Sequence, residues 1–260
     1  MLTLKRKPIA EFWLLMGGSP LILGLDTATP GGSVCIMRGQ QMLASVIGDA
    51  AISHSNTLLR DVDRVLKTAG LALQEIALFA AAAGPGSFTG LRIGLATIKA
   101  LSATLNRPCV GIPTLHAVAR SAGPSEATLA LLPAGRGELF AQLFSVASNG
   151  NVMQQDVAAH LPPPAVIEKY GALGGLKWAG AGAHACRDFI ERQAESAGVD
   201  FEDEGTESGG WKLARREENL AKDICALALQ RFQTGEVQSA ELLRAIYVRP
   251  SDPELREQCL

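Results

Sequence analysis

Gly84-Pro85-Gly86-Ser87-Phe88-Thr89-Gly90-Leu91-Arg92-Ile93-Gly94 lies between an apolar run of strand length, residues 76–83, and a segment of helical character, residues 91–105. A strand, a glycine-rich turn and a helix in that order can aim backbone N–H groups at an anion. Ser87 stands where an N-cap is wanted, and Gly90 and Gly94 share one helical face on which a second backbone can come close. The same spacing suits a turn that only joins a buried strand to a tightly packed helix. Lone glycine patterns do not separate the two readings.

The totals exclude several classes. With 47% hydrophobic and 19% charged residues, the chain is ordinary globular protein rather than disordered. Its 260 residues suffice for one large domain or two modest ones. A net charge of −2 implies no broad basic surface of the kind that holds nucleic acid unaided. Cys35, Cys109, Cys186, Cys225 and Cys259 are far apart and form no C-x-x-C, which suits buried thiols in a reducing cytoplasm. No apolar stretch has the roughly 18 residues of a membrane span. At the start, Lys5-Arg6-Lys7 and Phe12-Trp13-Leu14-Leu15-Met16 are interrupted by Pro8 and Glu11, and the apolar part is short for a signal peptide. Residues 1–18 therefore read as an extension.

Taken in order, residues 21–26 read as an apolar strand ending in Asp26 and a Thr/Gly-rich turn. Residues 33–37 and 41–47 flank Arg38-Gly39-Gln40 and pair as a hairpin. Over residues 53–69, Leu58, Leu59, Val62, Val65, Leu66 and Ala69 recur at the helical period, and Gly70 closes the helix. After the strand and helix around the glycine turn come a short strand at 109–112 and a helix at 114–120. From residue 125 the order starts again: a strand at 129–132, a turn at 133–137, a strand at 139–145 and a strand at 152–157. Leu161-Pro162-Pro163-Pro164 reads as a break, 178–183 as a short strand and glycine turn, 191–207 as a helix end and solvated loop, and 223–232 as a helix. Strand, hairpin and helix occurring twice predict an α/β protein of two related halves.

The glycine stretch resembles, nearly letter for letter, the signature of the TsaB (YeaZ) family. That family is the bacterial companion of the transferase that makes N6-threonylcarbamoyladenosine in tRNA. Leu23-Gly24-Leu25-Asp26-Thr27-Ala28-Thr29, His54-Ser55, Ile112-Pro113-Thr114-Leu115 and Tyr247-Val248-Arg249 extend the resemblance from about residue 20 to residue 250. It implies the two-lobed actin-like ATPase fold of sugar kinases and Hsp70, with a duplicated βββαβα unit. The lobes are expected at 19–122 and 123–260, with a C-terminal segment returning to the first. Family members usually begin just before the first strand, so Met16 is an alternative start.

In that superfamily three loops hold a nucleotide. The first is matched by Asp26, Thr27 and Thr29, with Ala28 where kinases carry Gly. The second wants an Asp followed by Gly-Gly, and here has Pro133 followed by Ala134-Gly135-Arg136-Gly137. The third, a glycine turn under adenosine, is matched by Gly180 and Gly182. These are expected to be vestigial. The paralogous transferase holds metal with an H-x-x-x-H pair, where this chain has Thr114 and Val118 around His116. Neither ligates as imidazole does, so no metal site and no catalytic residue is assigned.

The resemblance implies a non-catalytic scaffold that activates the TsaD transferase subunit on ANN-decoding tRNA at adenosine 37. The TsaE ATPase joins the complex, tRNA is met only indirectly, and a homodimer forms when the partner is absent. Docking is expected through two helices, at Leu58, Leu59, Val62, Val65 and Leu66 and at Gly90, Ile93, Gly94 and Thr97. The apolar stripe of the first helix also suits covering the lobe's own sheet, which leaves docking to Arg60, Asp61 and Arg64 or to the Gly90/Gly94 face. No cofactor is expected on this chain alone, with ATP or ADP placed at the complex interface. Two other classes stay open: a kinase-like ATP enzyme resting on Asp26, and a glycoprotease-like peptidase.

Overall fold

In the computed structural model, residues 19–51, 54–204 and 209–248 are described. The extension at 1–18, Ser53, Arg249 and Cys259 lie outside the described residues, as do the side chains of His54 and Ser55. Two compact units divide the chain. The first gathers the residues up to Ala83 with Phe88–Ile112 and Asn219–Ala245, and the second gathers Gly84–Ser87, Pro113–Glu218 and the residues from Ile246.

The first unit is built on β1 (Leu21–Asp26), β2 (Ser33–Arg38), β3 (Gln41–Ile47), β4 (Leu78–Gly84) and β5 (Cys109–Pro113), in the order β3-β2-β1-β4-β5. β1 pairs antiparallel with β2, Leu21 opposite Arg38 and Asp26 opposite Ser33, and parallel with β4. β4 is buried throughout, so it reads as a continuous apolar run rather than an alternating one. Helix α1 (His54–Ala69) packs on β2 and β3, and α2 (Phe88–Leu105) joins the same core through Leu95 and Ile98. Gly24 lies on the opposite face of β1 from Leu23 and Leu25, and there helix α7 (Leu220–Gln233) lies close.

The second unit repeats the plan. Antiparallel β6 (Ser125–Gly135), β7 (Glu138–Val146) and β8 (Val152–Gln154) correspond to β1, β2 and β3. β10 (Lys177–Ala179) lies parallel to β6 as β4 lies to β1. Its sheet runs β11-β12-β10-β6-β7-β8, with β9 (Ala159–Leu161) on β7, β11 at Phe201–Asp203 and β12 at Trp211–Leu213. Helices α3 (Thr114–Ser121), α4 (Pro163–Tyr170), α5 (Ala181–Ala185) and α6 (Arg187–Ser196) complete it. Trp178 and Trp211, ring centroids 5.1 Å apart, fill the core. The doubled βββαβα unit of the actin-like fold is present.

Differences from the sequence reading have local causes. α3 packs on β6 and β7, so it belongs to the second unit rather than to the 19–122 half, while residues 219–245 group with the first unit, in the sense of the returning C-terminal segment. β6 continues through Pro133 to Gly135, and the turn is only Arg136 (φ 53°) and Gly137 (φ 78°). Two positive φ values in a two-residue hairpin make it type I′. The proline run at 162–164 starts α4 instead of breaking the chain, because a first-turn proline gives up no helical bond. On β7, the Leu143 N–H donates to Asp156 Oδ1 at 2.8 Å, and Asp156 Oδ2 accepts from Tyr170 OH at 2.5 Å and Lys169 Nζ at 2.9 Å. Burial first, and the Asp156 carboxylate second, push the Tyr170 phenol up to about 12.

Candidate functional site

The signature turn begins at the buried end of β4, where Gly84 holds φ 117°, a conformation that favours glycine. The Gly84 N–H donates to Thr114 Oγ1 at 3.2 Å, so the turn's first amide is held by the first residue of α3. The Gly84–Pro85 bond is cis. Ser87, Phe88 and Thr89 are exposed, and α2 starts at Phe88, directly after Ser87. The Arg92 guanidinium covers the Phe88 ring, 3.8 Å from its centroid.

Gly90 and Gly94 are buried. A Cβ on Gly94 would overlap Thr27 Oγ1, so what this glycine admits is a side chain of the chain's own first loop. Ile93 is half-buried against the first unit's core, and Thr97 bonds back to the Ile93 carbonyl at 2.9 Å. Gly94 is thus closed against the unit's own first loop, and both glycines are buried rather than open on the surface.

The first phosphate loop closes on itself. Asp26, 1% exposed, accepts from the Ala28 N–H at 2.8 Å, the Thr29 N–H at 3.3 Å and the Thr29 hydroxyl. These are the amides that a phosphate loop turns toward its ligand, and here they face the Asp26 carboxylate. Gly180 and Gly182 serve close packing: a Cβ on Gly180 would stand 2.5 Å from the Leu131 carbonyl, and one on Gly182 2.9 Å from the Leu131 carbonyl carbon. Pro133 is an exposed strand residue paired with Leu139.

Of the two residues that the resemblance sets against the transferase's metal ligands, Thr114 is buried holding Gly84, and Val118 is 1% exposed, its Cγ1 2.6 Å from where a Gly180 Cβ would be. His116 packs edge-on against Phe144 at 4.9 Å. His160 Nε2 lies 2.8 Å from Glu138, and His184 Nε2 lies 3.0 Å from the Ala214 carbonyl oxygen.

The α1 stripe needs the largest correction. Leu58, Val62, Val65 and Leu66, between 0 and 9% exposed, sit in the first unit's core with Val34, Ile36 and Phe79. A side chain buried against its own sheet has no area left for a partner. Leu59, 68% exposed, is the apolar exception, beside Arg60, Asp63, Arg64 and Lys67. On α2 the outward residues include Thr89, Arg92, Ala96, Ala100 and Ala103, a stripe the sequence reading missed. Small residues three and four apart opposite the buried Leu91, Leu95 and Ile98 were its available signal.

A doubled actin-like fold, with its first loop tied to its own aspartate and Thr114 and Val118 buried in packing, defines the class. Residues 48–185, more than half of the chain, match the family described as TsaD: tRNA N6-adenosine threonylcarbamoyltransferase. The tRNA threonylcarbamoyladenosine biosynthesis protein TsaB of Escherichia coli is 29% identical over 237 residues, 88% of this chain and 94% of that protein. Its Haemophilus influenzae counterpart is 33% identical over 102 residues, 39% of this chain and 42% of that protein. YeaZ from Pseudomonas aeruginosa superposes with TM-score 0.68 at 25% identity, over 88% of this chain and 99% of that one. A second Pseudomonas aeruginosa structure, with similarity to peptidase YEAZ, gives 0.71 over 88% and 100%. The chain carries the TsaD-type family match and belongs to the TsaB (YeaZ) family.

Proposed function

We propose that this chain is a non-catalytic subunit of the assembly that installs threonylcarbamoyl on adenosine 37 of ANN-decoding tRNA, activating the TsaD transferase subunit by docking on it. The likeness to the Escherichia coli TsaB protein over nearly the whole of both chains supports the pathway. The observation that carries the scaffold reading is the pair Thr114 and Val118, which stand at the transferase's ligand positions and are spent on holding Gly84 and packing near Gly180. An aspartate bonded to its own loop speaks against the kinase-like alternative.

Docking uses the outer sides of α1 and α2. Leu59 supplies an apolar anchor, and Ala96, Ala100 and Ala103 let a partner helix approach closely, as in a four-helix bundle. The same faces serve the homodimer in the partner's absence. ATP or ADP at the assembled interface rests on the loops of the partner subunits, the TsaE ATPase among them, and tRNA is reached through the complex.

The test is co-purification with the organism's transferase subunit and assay of threonylcarbamoyl transfer to tRNA, for wild type, Leu59→Glu and Ala96→Glu. Folded variants that lose both complex and transfer, while the wild type alone is inert, support the proposal. A wild type that neither binds the transferase nor alters its rate sinks it, and ATP turnover by the isolated chain would reopen the kinase-like reading.

A further inference from the structure

Gly24 of β1 and Cys35 of β2 stand opposite each other in the antiparallel register, so the absent Gly24 side chain and the Cys35 side chain share a face. That is the face on which α7 lies. A Cβ on Gly24 would overlap Cys225 Sγ and stand 2.9 Å from the Ala221 carbonyl, so the sulfur fills the notch that the glycine leaves. The Cys225 thiol reaches the Cys35 carbonyl at 3.7 Å and the Ile22 carbonyl at 3.9 Å, and the neighbouring Cys35 side chain adds to the rise of its pKa. Both cysteines are free thiols, 0% exposed, on segments 190 residues apart in sequence. Burial, the largest cause, raises the Cys225 thiol well above its ordinary range, which keeps it protonated and unreactive while α7 is seated.

From this juxtaposition we infer that Cys35 and Cys225 form a disulfide-competent pair, a redox latch that bonds α7 to β2. The oxidant is a low-molecular-weight disulfide such as oxidised glutathione. One cysteine gives up its proton and attacks a glutathione sulfur, forming a mixed disulfide and releasing one glutathione thiolate. The second cysteine, deprotonated in turn, attacks the mixed disulfide and releases the other. Two cysteine thiols are oxidised, one small disulfide is reduced to two thiols, and the released protons end on the glutathione sulfurs. With both sulfurs sealed, the first attack waits for α7 to lift locally from the sheet. The rate of bond formation therefore reports that opening, and the finished bond prevents it.

The experiment exposes the folded full-length protein to graded oxidised glutathione, unfolds it in N-ethylmaleimide to cap the remaining thiols, and maps unreduced peptides by mass spectrometry. The expected product is one peptide pair joined through Cys35 and Cys225, lighter by two hydrogens and separated by dithiothreitol. Its unfolding midpoint is higher than that of the reduced protein. Cys35→Ser and Cys225→Ser each abolish the link; if a variant misfolds in the tight notch, the wild-type map alone decides. Recovery of both cysteines capped, while half-buried Cys186 carries glutathione, overturns the inference. A Cys35–Cys225 link that forms only after the chain is unfolded in urea overturns it equally.

Discussion

Gly84 and Thr114 are joined by one buried hydrogen bond, backbone N–H to hydroxyl, at 3.2 Å. It fastens the signature turn to the first residue of α3. Thr114 acts as a clamp on the turn. A hydroxyl suits the task because it accepts at short range without needing a charge.

Removing that acceptor leaves a buried N–H without its partner. Thr114→Val should cost about 1–3 kcal/mol, the penalty of an unsatisfied buried donor, whereas Thr114→Ser, which keeps the oxygen, should cost less. Urea unfolding of the two variants beside the wild type checks this. Equal losses would mean that the methyl group, not the hydroxyl, matters.

Thr27 and Gly94 are coupled by contact. A Cβ on Gly94 meets Thr27 Oγ1, so Gly94→Ala should destabilise by about 1–3 kcal/mol, as overpacking does. Thr27→Ala removes the clashing atom, and the double variant should recover part of the loss. A double-mutant cycle measures the coupling, and strict additivity would refute it.

On α1, neighbouring apolar residues should behave oppositely. Leu59→Glu at a 68% exposed position should change stability by no more than about 0.5 kcal/mol. Val62→Glu, which puts a carboxylate into a site only 5% exposed, should prevent folding. Circular dichroism and thermal melts separate them. A stable Val62→Glu would place the core elsewhere.

Tyr170 gives a pH signature. Its phenol is about 12 in the folded chain against an ordinary value of 10.0. Between those values the unfolded chain has lost the proton and the folded chain keeps it, so stability falls as pH rises through that window. Below pH 10 this contribution is fully present. Tyr170→Phe should flatten the fall, as seen in urea midpoints measured across alkaline pH.

The sheet strands were legible because apolar runs bounded by turns admit few alternatives. β1 and β3 were read to the residue, and the buried run of β4 to within two. The helix α1 was equally plain, but periodicity reports which face is buried, not what buries it. Leu58 and Val62 therefore marked the chain's own core, and the docking face had to be sought among the residues left outside. Asp26 matched a phosphate-loop position by spacing, yet no spacing shows that the Ala28 and Thr29 amides turn back on it. α4 was hidden by Pro163, which terminates a helix when interior and is tolerated in its first turn.

The placement of α7 has a consequence for biosynthesis. The Cys225 thiol meets the Ile22 carbonyl across 203 residues of sequence. During vectorial synthesis β1 is among the first strands to leave the ribosome, and the helix over its Gly24 face is among the last elements to follow. Most of the second unit, Pro113–Glu218, is continuous and complete before Asn219–Ala245 emerges. The unit that begins the chain thus waits for a segment made after most of the other unit, and for most of translation one face of its sheet awaits its cover.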